Sequence, residues 1–109
     1  MNMIRRLADY RSVFHDDDPT VFILAPAPER PIPAGDTRRG TAWLFRSQER
    51  AAEFGAWMRG RHGLESVPVP IKLRTLVNAL GDRDLTYVLD PRPVVGYGVP
   101  FAFKAPLPH

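Results

Sequence analysis

Three short apolar runs constrain this chain more than anything else in it: TVFILA at 20–25, TAWLF at 41–45 and LTYVLD at 85–90. Each has strand length and is rich in β-branched and aromatic residues. The first and third read as buried strands, the third stopped by Pro91. Between the first two lies PAPERPIPAGDTRRG (26–40), with four prolines and two glycines. Proline lacks an amide donor, so this segment sustains neither a helix nor a central strand. It is expected to be an exposed loop joining two antiparallel strands. That is long for a hairpin, and loops of such length more often serve function than structure.

The helical signals lie around these runs. Met3, Leu7, Tyr10 and Phe14 recur on one helical face, which predicts an amphipathic helix over 2–14 with Arg5, Arg6, Asp9 and Ser12 mostly opposite. HDDDP ends it, because Pro19 disfavours helix at Asp18, so 1–18 reads as a helix and an acidic turn. LFRSQERAAEFGAWM (44–58) predicts a helix starting at Ser47 and running to about Arg59. Ala51, Phe54 and Met58 share its inner face, with Trp57 beside them and Gly60 and Gly63 at its end. ESVPVP (65–70) fits only a short or edge strand. IKLRTLVNALG (71–81) is the clearest helix, with Leu73, Leu76, Val77 and Leu80 in register and Gly81 as its cap. Val94-Val95 and PFAF offer one last short strand, and 99–109 is a proline-rich tail. This order predicts one small α+β domain over 1–109: a mainly antiparallel sheet of four to five strands carrying two to three helices.

Composition narrows the function classes. With 44% hydrophobic and 25% charged residues, a core forms without staples. No cysteine is present, which removes disulfides, thiolate metal sites and cysteine nucleophiles together. No apolar run approaches the ~18–20 residues that span a bilayer, and the N-terminus lacks the apolar core of a signal peptide. No membrane association and a cytoplasmic location are expected. The net charge is +3 although the pI is about 9.8, and the arginines are scattered rather than gathered in one stripe.

Candidate sites are few. Ser47 sits in Phe45-Arg-Ser-Gln-Glu49, without the flanking glycines of a nucleophile elbow. Its hydroxyl suits the unpaired amides at a helix start, and Glu49 favours the positive end of the dipole, so a cap is preferred to a catalytic serine. HDDD (15–18) offers oxygen and imidazole ligands, but no second histidine lies at ligand spacing and a solvated acidic turn is preferred. GDTRRGTA (35–42) has Thr41 where a phosphate loop needs lysine and leads into a strand. GYGVPF (96–101) has Phe101 where a dinucleotide fingerprint needs its third glycine. No metal or other cofactor is expected. The remaining candidates are basic or aromatic: Arg38 and Arg39 in the long loop, Arg59, Arg61 and His62 at a helix end, and the tryptophans Trp43 and Trp57. The arginines could grip a phosphate or an acidic partner, but service to a helix dipole and to solubility is preferred.

The sequence of a strand, Phe45-x-Ser47-x-Glu49-x-Ala51-x-x-Phe54, the VPVP segment, a leucine-rich helix and YVLDP (87–91) resembles the N-terminal domain of SseB-like proteins, a family of bacterial type. The resemblance covers roughly 20–96. Arg46 stands where that family has threonine, and Asp90 where it has asparagine. The N-terminal segment and the proline-rich loop lie outside the pattern. The resemblance implies an α+β fold and no defined catalytic residues. The expected function is therefore a non-enzymatic interaction or adaptor domain. It would engage another protein, or a second copy of itself, through Arg38, Arg39, Arg59, Arg61 and Trp57. The alternative is a weak nucleic-acid binder using the same arginines.

Overall fold

In the computed structural model the described residues are 2–4, 14, 18–36, 41–80, 86–92 and 101–102. They form β1 (Asn2–Ile4), β2 (Thr20–Ala25), β3 (Ala34–Asp36), β4 (Thr41–Leu44), α1 (Gln48–His62), β5 (Val67–Lys72), α2 (Leu73–Leu80), β6 (Thr86–Leu89) and β7 (Phe101–Ala102). One sheet has five strands in the order β1-β6-β4-β3-β7, and β2 and β5 form a second, two-stranded sheet. All pairings are antiparallel except β4 with β6, which are parallel. The fold is α+β, as the pattern of elements predicts.

The apolar runs are continuous because both faces of these strands are covered. In β2, Val21, Ile23 and Ala25 join a cluster with Ala42, Leu44, Tyr87 and Leu89, closed by Leu73 and Leu76 of α2. Leu24 points the other way, with Trp43, Phe45 and Val88, under Ala51, Phe54 and Met58 of α1. Alternate residues thus fill two cores, one beneath each helix, and none of β2, β4 and β6 needs a polar face. Phe54 is the hub of the second core. Its ring lies 4.9 Å from Trp43, 5.5 Å from Phe45 and 5.6 Å from Trp57.

The prolines of β5 are tolerated for a reason of register. Phe22 exchanges backbone hydrogen bonds of 2.8 and 2.9 Å with Phe45, so its polar groups face β4 and turn away from β5. Pro70 lies opposite Phe22, and Pro68 opposite Leu24, two residues along. Both prolines therefore occupy positions where no donor is wanted towards β2. On its outer side β5 presents no amide at either position, which discourages a further strand from adding there.

Several expectations need correction. Asn2–Ile4 is a strand paired with β6, not the start of a helix. The Met3–Phe14 spacing is helical, yet at residues 2–4 pairing with the open edge of β6 overrides it; residues 5–13 lie outside the described residues, and Phe14 is helical. The segment 26–40 is not an exposed loop throughout. Residues 31–35 are buried, and β3 pairs with β4 on one side and β7 on the other. Only 37–40 of that segment lies outside the described residues. The strands 20–25 and 41–45 meet at the single bridge Phe22–Phe45, while β2 pairs along its whole length with β5. Ile71 and Lys72 extend β5 instead of opening α2. Gly81 and Val94-Val95 lie outside the described residues.

Candidate functional site

α1 starts where β4 ends, and Ser47 marks the boundary. Its backbone is extended (φ −137°, ψ 153°), and its hydroxyl accepts a hydrogen bond of 3.2 Å from the Arg50 amide. Its carbonyl accepts from the Ala51 amide. Ser47 is the N-cap, with Glu49 in the first turn. At the other end Gly63 takes the left-handed conformation (φ 69°) and its amide donates to the Arg59 carbonyl, so the helix runs three residues beyond Arg59. Gly60 lies within it.

Sequence reasoning missed the residue that organises this corner. Asp90 ends β6 beside the start of α1 and holds φ at 50°, a left-handed value that aspartate adopts more readily than most residues. Its amide donates to the Leu44 carbonyl at 2.7 Å. One carboxylate oxygen, Oδ1, accepts from the Arg46 amide at 3.0 Å. The other, Oδ2, accepts from Arg46 Nε at 2.6 Å and Arg50 Nη1 at 3.2 Å. The Asp90 side chain is 9% exposed, against 45% for Arg46 and 58% for Arg50. A shielded carboxylate therefore ties β6, the end of β4 and the first turn of α1 together under two half-solvated guanidinium groups. The available signal was an aspartate before a proline at a strand end, with arginines four apart at a helix start. Beside this tie lies an open cleft of about 490 Å³, lined by Arg50, Glu53, Phe54, Asp90, Pro91 and Arg92.

The residues singled out from sequence do not all converge. Arg38 and Arg39 lie outside the described residues. Arg59 and Arg61 are exposed in the last turn of α1, where positive charge complements the dipole. Two residues separate them by about 200° around the helix, so they face opposite ways. Arg59 borders a groove with Ala52, Ala56 and Pro68, whereas Arg61 lies one turn beyond Trp57. Trp57 is half-buried, and its ring meets His62 edge-on at 5.8 Å. Trp43 is fully buried.

The acidic turn has a structural task at its described end. Asp18 Oδ1 accepts from the Arg74 amide at 2.8 Å and the Pro19 carbonyl accepts from the Leu73 amide at 2.9 Å, so this turn caps α2 from 54 residues or more away in sequence. Residues 15–17 lie outside the described residues. Among the described residues no three carboxylate or imidazole groups gather as a metal site, and no helix is long and apolar enough to cross a membrane. Compared with known proteins, the chain matches no family model, no curated protein and no solved structure.

Proposed function

We propose that this chain is a non-enzymatic protein-interaction domain of SseB-like type, engaging its partner through the C-terminal flank of α1. The observation that carries the reading is Trp57. Three large aromatic groups of its cluster, Trp43, Phe45 and Phe54, are buried, whereas Trp57, like Phe22, is half-buried, and the exposed Arg61 lies one turn away. Tryptophan and arginine side by side are the residue types that most often dominate protein interfaces. The resemblance in Phe45–Phe54 and YVLDP supports the same reading, since it implies no catalytic residues. A second copy of the chain is one partner this flank admits, and a cytoplasmic location accords with the absence of cysteine. The nucleic-acid alternative has less support, because Arg59 and Arg61 face apart and cannot follow one phosphate backbone together.

The test is capture from native lysate with and without nuclease, comparing the wild type with Trp57→Ser and Arg61→Glu at matched melting temperature. A stoichiometric protein that survives nuclease and is lost with either variant supports the reading. Equal capture by all three proteins refutes it, and loss on nuclease treatment transfers the claim to nucleic acid.

A further inference from the structure

The flank of α1 that carries Trp57 also carries two opposite charges placed symmetrically about it. Glu53 precedes Trp57 by four residues and Arg61 follows it by four, and both are exposed. Residues four apart lie about 40° apart around a helix and about one turn apart along it, so Glu53, Trp57 and Arg61 form one inclined row. Glu53 and Arg61 stand about 12 Å apart along the axis, too far to pair with each other. Among the described residues neither makes a hydrogen bond or an ion pair. Arg50, the other arginine on this flank, is already held by Asp90. The ring between the two charges has fixed neighbours: Trp57 leans on Phe54 at 5.6 Å and meets His62 at 5.8 Å.

A row that reads acid, aromatic, base is complementary to itself when reversed. Where two copies of α1 meet about a two-fold axis at Trp57, the residue four before the centre in one copy lies opposite the residue four after it in the other. Glu53 of each chain then faces the partner's Arg61, twice over, and the two indoles meet at the centre. Rows of residues four apart, packed against each other, cross at about −50°, the commonest geometry for helix pairs in globular proteins. A parallel pairing would instead set Glu53 against Glu53 and Arg61 against Arg61, so the charges discriminate against it. We propose that a second copy of this chain docks on this flank, giving a two-fold dimer centred on Trp57 with reciprocal Glu53–Arg61 contacts. The inference rests on the interaction reading, since it names the partner of the same surface.

Sedimentation equilibrium of the purified chain tests it with charge swaps at the two exposed positions. Wild type should pass from monomer to dimer between about 1 and about 500 µM. Glu53→Arg sets arginine against arginine twice, and Arg61→Glu sets glutamate against glutamate twice, so each alone should weaken the dimer about ten-fold or more. The double variant E53R/R61E restores opposite charges at both contacts, and so does an equimolar mixture of the two single variants. Both should return to within about three-fold of wild type. A role of either residue within its own chain predicts no recovery in the mixture, because each chain there still carries its own substitution. A monomer throughout the range, a dimer indifferent to the single swaps, or a mixture no tighter than its components each overturns the proposal. Purified protein offers no other partner, so a monomer here removes the second copy alone. Capture from lysate, lost with Trp57→Ser, still decides the interaction reading.

Discussion

Two glycines of α1 offer a sensitive test of how the helix sits on the fold. Gly55 is buried: a Cβ placed there would meet Ser66 Oγ at 3.2 Å and Leu24 Cδ2 at 3.3 Å. Gly60, five residues on, is exposed, and a Cβ there meets nothing within 4 Å. Alanine is better than glycine in a helix interior by about 1 kcal/mol, so Gly60→Ala should stabilise by ~0.5–1 kcal/mol. That raises the melting temperature by about 4 °C in a domain of this size. Gly55→Ala receives the same helical gain but forces two contacts below normal packing distance. Leu24 is 1% exposed and has little room to retreat. Overpacking of this kind costs about 1–3 kcal/mol, so the net effect should be destabilising by about 1 kcal/mol. The two variants should therefore differ by about 2 kcal/mol, or roughly 8 °C. Thermal unfolding followed by tryptophan fluorescence reads this directly, because Trp43 is fully buried. In a Ser66→Ala background the cost of Gly55→Ala should shrink and not vanish, since the Leu24 contact persists. If Gly55→Ala stabilises as much as Gly60→Ala, α1 does not approach Leu24 of β2 and Ser66 this closely.

Ser47→Ala should cost about 1 kcal/mol and Ser47→Gly only a few tenths, measured by urea denaturation; equal and negligible losses would dismiss the cap. Asp90→Ala should lose about 2 kcal/mol, each ion pair being discounted because both arginines are about half exposed. Asp90→Gly should recover about 1 kcal/mol of that by relaxing the left-handed backbone, and identical midpoints for the two variants would refute the conformational argument. Burial raises the pKa of Tyr87 above 10.0, so the folded state holds its proton more tightly than the unfolded chain. The stability this contributes is fully present below about pH 10 and is lost as pH rises through the higher folded value. Stability curves of wild type and Tyr87→Phe should thus run parallel below pH 10, and wild type should fall relative to the variant above it; curves that stay parallel through pH 12 would contradict the burial.

Much of the fold is legible because its signals are local. TVFILA and TAWLF are apolar at every position after an initial threonine, the pattern of a strand covered on both faces. Ser47 and Gly63 announce the ends of α1 by backbone chemistry that any helix obeys. The errors arise where pairing over long distances decides. Met3 belongs to a convincing helical repeat, yet the free edge of β6 claims the first residues as a strand. The proline content of 26–40 argues for exposure, yet Ile32 and Ala34 are drawn inward because β4 would otherwise lack a neighbour on that side. Strand partners were the least legible feature. The alternation that sends Val21 and Leu24 to different cores says nothing about which strand lies alongside.

The candidate site was illegible for a related reason, and Asp90 shows why. Its partners stand 40 and 44 positions away, so no window of sequence contains the cluster. What one window does contain is an aspartate directly before a proline, where asparagine would serve the turn as well. Both residues accept the left-handed turn before Pro91, so the backbone alone gives no reason to choose between them. The difference lies in charge. Asparagine would leave Arg46 and Arg50 without their carboxylate acceptor. With aspartate, two guanidinium groups are fixed by a carboxylate that solvent barely reaches. The choice of aspartate over asparagine at this turn thus decides whether β6, the end of β4 and the first turn of α1 are tied by charge, at a position whose backbone either residue would satisfy.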